Sequence, residues 1–213
     1  MTKQSKPDDS LVISYMGLRK AVGLIGLALP FALAVGKVVF DGGGLQSTMS
    51  DYYHSNMRNL FVGSLCAIGV FLMSYWGYDR VDNIAAKVAS AFAVGVALFP
   101  TTPETAVISS QERVLGIIHV TCAAGFFLTL AFFSLFLFRK TAPKPTPQKR
   151  KRNVVYLVCG LTMVASIALI GILYLFPKDA SIRSLKPVFW LESLAVVAFG
   201  VSWLTKGEAI LED

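Results

Sequence analysis

Six apolar runs, each close to the length that crosses a bilayer, limit what this chain can fold into. They are Ala21–Phe40, Leu60–Tyr78, Ile84–Pro100, Val114–Phe138, Val154–Phe176 and Val188–Leu204. About twenty consecutive apolar residues span a hydrocarbon core as a helix. In lipid every backbone polar group has to be bonded within its own segment, so such runs are helical. A membrane β-barrel would show alternating segments about half as long. The third and sixth runs are short and extend into flanking residues. Only 15% of the residues are charged, against about a quarter in a soluble domain. The expectation is an all-α, polytopic transmembrane bundle of six helices, forming one domain over residues 1–213. The first ten residues are polar and the first run is too long for a signal core, so a retained helix is expected.

Charge sets the orientation. Residues 139–152 read RKTAPKPTPQKRKR, with seven bases and no acid. Their Pro, Thr and Lys content describes a solvated linker, and short basic loops stay on the cytoplasmic side. Six helices then place both termini in the cytoplasm. Fourteen of the 20 Lys and Arg residues fall inside and six outside, where six acids balance them. The net charge of +7 therefore belongs to the inner face. Orientation accounts for it, and no nucleic-acid partner is implied. Membrane lipids are the expected neighbours, and anionic headgroups could meet the linker. Nothing in the chain names a protein partner.

This topology gathers the ionisable residues at the outer face. Ser50-Asp51-Tyr52-Tyr53-His54 precede or open the second span, and Arg58 follows. A helix starting near Ser50, capped by Ser47 or Ser50, would carry Asp51, His54 and Arg58 on one face at i, i+3, i+7. His119 stands five residues into the fourth span, and Glu192 four into the sixth beside Trp190. At about 1.5 Å per residue both would lie roughly 6–8 Å deep. Ionisable groups inside spans usually face the bundle interior and mark function.

The pocket residues are then Ser50, Tyr53, Arg58 and Trp190, with Asp51 and Glu192 as candidate proton-handling acids. Two histidines and a carboxylate can hold zinc and leave a position for water, whose pKa the metal lowers. His54, His119 and either Asp51 or Glu192 are the candidate ligands, with the remaining acid handling protons. The plainer alternative pairs Asp51 with Arg58, and Glu192 with Lys186 or Lys37, as simple interhelical bonds without a metal.

Other motifs read as structure. Gly42-Gly43-Gly44 lacks the context of a phosphate loop and reads as a flexible turn. Pro100 and Pro103 end the third helix. Ala85, Ala89, Ala93 and Ala97 form a small-residue stripe that would put this helix at the bundle's centre. Asp82 or Asn83 would cap its start. Cys66, Cys122 and Cys159 lie inside helices without metal spacing and read as packing residues.

The runs SDYYHSNMRNLFVG, VALFPTTP and FWLESLAVVAFGVSWLTKGE, with the histidine near the start of the fourth span, resemble an uncharacterised family of small bacterial multi-pass membrane proteins. The likeness runs from about Ser47 to Gly207 and implies a bacterial inner membrane, but no assigned reaction. Ser50, Asp51, His54 and His119 are also similar in type to the zinc site of the CREST superfamily of membrane hydrolases and receptors. That superfamily has seven helices and three histidines, two of them in the final helix; this chain has two histidines and none in its last span.

Three functions follow. The first is a lipid- or small-molecule-binding protein with an outward-facing polar pocket. The second is a zinc-dependent hydrolase of a lipid-like amide or ester. The third is an ion-coupled transporter, which would ordinarily show repeats and midplane charges.

Overall fold

The structure is a computed structural model and describes residues 9–105, 107–141, 143–175, 182 and 184–211. Among them it is all-helical, with α1 (Asp9–Gly36), α2 (Arg58–Met73), α3 (Arg80–Leu98), α4 (Ser110–Phe132), α5 (Pro147–Leu175) and α6 (Pro187–Lys206). A π-helical turn continues α1 over Lys37–Asp41, and another continues α4 over Phe133–Leu137. Five helices are long and apolar enough to cross a membrane; α2 is apolar but shorter. The chain is a polytopic helix bundle of the transmembrane type.

Helices α3 and α4 start where polar side chains hold the first N–H groups. Ser109 and Glu112 form a reciprocal capping box that opens α4. Asp79, rather than Asp82 or Asn83, caps α3: its Oδ1 accepts from Val81 N–H at 2.9 Å and Asp82 N–H at 3.1 Å. Asp82 and Asn83 instead accept the N–H groups of Tyr78 and Gly77 and hold the preceding turn. The basic linker is shorter than expected. Helix α5 begins at Pro147, a residue suited to a first helical turn, so Lys149 to Arg152 are helical.

The centre of the bundle is α6, not α3. Within its apolar window 67% is buried inside the protein, against 44% for α3. Helix α6 packs on α1 and α5, while α3 lies against α2 and α4. The contact with α1 is made by backbone. A Cβ on Gly200 would lie 2.6 Å from Leu27 N and 2.8 Å from Gly23 O, and one on Gly23 would lie 2.8 Å from Leu204 N. Small residues are what permit such an approach where lipid supplies no hydrophobic drive. The alanine stripe of α3 is buried as expected and serves packing. Beside it, Ser90 Oγ donates to Gly69 O on α2 at 2.7 Å. The cysteines are free thiols, with Cys159 buried.

Residues assigned to one face by charge meet at one end. Lys140 Nζ lies 2.8 Å from both Asp79 Oδ2 and Asp82 Oδ1. Partial burial works against the Lys140 charge, but the two carboxylates overcome it and hold the amine above its usual pKa. Lys140 in turn holds the Asp79 carboxyl below the usual range. Arg152 Nη1 sits 3.3 Å from Glu208 Oε1. Beneath these, Trp203 contacts Tyr75 and Phe138, each at 5.3 Å between ring centres, and Phe133 at 5.7 Å.

Candidate functional site

At the opposite end the chain between α1 and α2 folds into a compact polar turn. Ser50–His54 is a separate 3-10 helix rather than the first turn of α2. The break is Ser55, whose backbone is extended and whose Oγ donates to Tyr52 O at 2.8 Å while accepting from Met57 N–H at 3.1 Å. The single face expected for Asp51, His54 and Arg58 is therefore not formed. Neither Ser47 nor Ser50 caps the turn. Thr48 and Asp51 do so reciprocally: Thr48 N–H donates to Asp51 Oδ2 at 2.9 Å, and Asp51 N–H to Thr48 Oγ1 at 3.0 Å. Burial raises the Asp51 carboxyl above its ordinary pKa, and the bonds from Thr48 oppose that shift.

Two contacts fasten this turn to α6. Phe189 N–H donates to Ser47 O at 3.2 Å. Met49 N–H donates to Glu192 Oε2 at 2.5 Å, and the Ser50 N–H adds to the same carboxylate. Glu192 pairs with neither Lys186 nor Lys37; Lys37 bonds Asp41 at 2.8 Å within its own helix. Asp41 also accepts from the Asn56 side chain and, at 3.3 Å, from its backbone. The turn is thus tied to both α1 and α6. Its depth follows from the shortness of α2. Sixteen residues rise about 24 Å, less than an ~30 Å core. The turn above α2 can therefore sink to the level of Glu192, five residues into α6.

Beneath the turn lies an apolar cavity. Leu29, Phe61, Leu65, Phe126, Phe127 and Phe199 line it, and Met49 closes it from the turn. Ser50 and Glu192 are its polar members. The cavity is small, with about 30 Å³ of room for the centres of water-sized molecules. It is narrow: that space corresponds to about two waters, or to a slender hydrocarbon segment.

The two histidines serve the strap that follows α3. His54 Nε2 is 2.8 Å from Thr101 O, and His119 Nδ1 is 2.7 Å from Phe99 O. Both carbonyls lie just past α3, which ends at Leu98 with Phe99 already extended, so no helical N–H meets them and they need other donors. Phe99 and Thr101 find them on α4 and on the turn. Helix α4 starts at Ser110, so His119 lies nine residues from its end, about 13 Å along the axis. It is buried, while His54 is exposed.

The expected metal set is not assembled. Asp51 is engaged by Thr48, and one ring nitrogen of each histidine, Nε2 of His54 and Nδ1 of His119, meets a backbone carbonyl. Among the described residues no group of three or more His, Cys, Asp or Glu side chains could hold a metal ion.

The expected pocket residues divide. Ser50 and Glu192 share the cavity lining. Arg58 and Tyr53 pair with each other, through Nη2 and the phenol oxygen at 2.8 Å and with the guanidinium 4.4 Å from the ring centre. Arg58 does not reach Asp51. Trp190 is 58% exposed and points away from the bundle. Thr48 and Met49 were not anticipated. Thr48-x-x-Asp51 has the spacing of a capping box and was readable as one. No known family model, curated protein or solved structure matches this chain.

Proposed function

We propose that this chain binds a slender amphiphile at the outer leaflet of a bacterial cytoplasmic membrane. The apolar body would lie between α2, α4 and α6, and a hydrogen-bond-donating head would meet Glu192 and Ser50. The observation that carries this reading is the cavity itself, apolar along its walls with one carboxylate beside its cover. Binding sites commonly combine apolar walls with a few placed polar groups. The inner-membrane setting rests on the family resemblance. The orientation rests on the basic end, which the positive-inside rule assigns to the cytoplasm. The glycines before the turn give its cover freedom to lift: Gly42 and Gly43 hold φ of 61° and 111°, a region other residues rarely adopt.

The test is photolabelling of the full chain in phosphatidylcholine nanodiscs with a diazirine-bearing long-chain alcohol, mapped by peptide mass spectrometry. Label should concentrate on Leu65, Phe126 and Phe127 and fall severalfold in Ala123→Trp, which fills the cavity. Label spread evenly over outward-facing side chains such as Phe31 and Leu128, unchanged in Ala123→Trp, would refute the reading.

A further inference from the structure

Helix α4 carries a polar atom that the strap does not use. His119 is only 1% exposed, and its Nδ1 lies 2.7 Å from Phe99 O. A carbonyl can only accept, so Nδ1 bears the ring proton, and in the neutral imidazole Nε2 is then an acceptor. Nε2 is buried and has no hydrogen-bond partner among the described residues. A buried acceptor without a donor is costly and rare in folded proteins.

The ring borders the cavity beneath the turn. Ala123 lies one turn further along the same face of α4, and Val96 lies three residues before Phe99 on α3; both line the cavity. The Val96 carbonyl also acts on the imidazole. The two helices are in close contact here, since a Cβ on Gly95 would lie 2.6 Å from Cys122 Sγ. Helix α4 starts at the end that carries the turn, so His119 stands on the side of Ala123 where Met49, Ser50 and Glu192 close the cavity. His54 of that turn is near enough to act on His119 electrostatically. The head end of the cavity thus has acceptors on two helices, Glu192 on α6 and His119 on α4. Glu192 already takes the N–H groups of Met49 and Ser50, whereas His119 Nε2 takes none.

We propose that the cavity selects a long-chain primary alcohol, whose hydroxyl donates to His119 Nε2. The inference rests on the reading of the cavity as an amphiphile site and adds the chemical class of the head. A carboxylate head would bring lone pairs and no donor to a site already rich in acceptors. An ammonium would carry a full charge between apolar walls, at high cost. A hydroxyl brings the missing donor without charge, and an unbranched chain suits the narrow space. A site built around a hydroxyl strongly rejects the analogue that lacks it, because its own buried polar group is then left unmet.

The experiment uses the full chain in phosphatidylcholine nanodiscs and the diazirine-bearing alcohol, with label on Phe126 and Phe127 as the readout. An unlabelled saturated primary alcohol and its methyl ether compete at equal mole fraction in the bilayer. The ether keeps the chain and the oxygen and loses only the donor. The alcohol should displace the probe about tenfold more effectively, the typical effect of leaving a buried acceptor unmet. His119→Asn keeps an N–H for the Phe99 carbonyl and removes the distal acceptor, so it should make the two competitors equal. On the unaltered protein, NMR of the imidazole nitrogens should show the His119 Nε2 signal move with the alcohol and stay with the ether, while Nδ1 keeps its proton. That readout decides the matter if His119→Asn fails to fold. Equal displacement by alcohol and ether, with label still concentrated in the cavity, overturns the alcohol site and leaves the amphiphile reading standing. Absence of cavity label overturns both. An alcohol preference that persists in folded His119→Asn, or a primary amine of the same chain that displaces the probe better than the alcohol, also overturns the proposal.

Discussion

Replacing Glu192 tests how the polar turn is held. Its Oε2 accepts the Met49 N–H at 2.5 Å, shorter than the roughly 2.7–2.9 Å usual for a charge-assisted N–H bond. Such bonds contribute about 1.5–3 kcal/mol. Glu192→Leu keeps an apolar stem of similar size, removes the acceptor and leaves the Met49 N–H facing an apolar wall. At about 1.4 kcal/mol per factor of ten, opening of the turn should become roughly 10- to 150-fold more favourable. Glu192→Gln keeps an oxygen but no charge. With neutral bonds about half as strong, the loss is about 1 kcal/mol, or roughly fivefold. Hydrogen–deuterium exchange of a peptide covering Ser47–His54 reads this directly, because protection reports local opening. A peptide within α5 serves as control and should not change. Unchanged exchange of the turn in Glu192→Leu, with α5 also unchanged, would refute the assignment of Glu192 as its anchor.

Three further outcomes follow. Gly200→Leu should separate α1 from α6, because even a Cβ there would sit 2.6 Å from Leu27 N; overpacking of about 1–3 kcal/mol or more should appear as a lower Tm, and an unchanged Tm would refute the contact. The two ends should respond to acid with opposite signs. Asp79 has a folded pKa below its unfolded value, so its support of the α3 start is present above pH ~4 and lost as pH falls through the folded value. Asp51 has a folded pKa above its unfolded value, so acid relieves the burial of its charge and the turn tightens as pH falls through that raised value. Exchange corrected for intrinsic rate should show both trends, and Asp51→Asn should flatten the second. Finally, chelator treatment should leave Tm unchanged, because among the described residues no group of three or more His, Cys, Asp or Glu side chains could hold a metal ion; stoichiometric zinc lost in His54→Ala would overturn this.

The spans were legible because lipid demands continuous apolar helices, and the runs beginning at Ala21 and Val154 needed no tertiary information. The grouping of ends was legible for the same reason, since alternation follows from counting helices. The start of α2 was not, because Ser50 to Arg58 reads as helical by spacing and the Ser55 break depends on bonds to Tyr52 and Met57. Glu192 stood out as a charge inside a span, but its partner is a backbone N–H 143 residues away, which no local pattern announces. The alanine stripe of α3 drew attention away from α6, whose Ala195, Ala198, Gly200 and Ser202 are as small but less regularly spaced. The histidines read as ligands because side-chain type is visible in a sequence, whereas the Phe99 and Thr101 carbonyls that they meet are not.

The backbone contact between α1 and α6 also has a bearing on assembly in time. The first helix ends at Gly36 and its partner begins at Pro187, so about 150 residues are made before the two can meet. At roughly 5–20 residues per second, the glycine face of α1 waits about 8–30 s in the bilayer against lipid or other protein. Helix α6 is also the most enclosed of the five spans long enough to cross a membrane. Closure of this bundle therefore waits for α6, and a ribosome stalled before it would leave the five earlier helices around an unfilled centre.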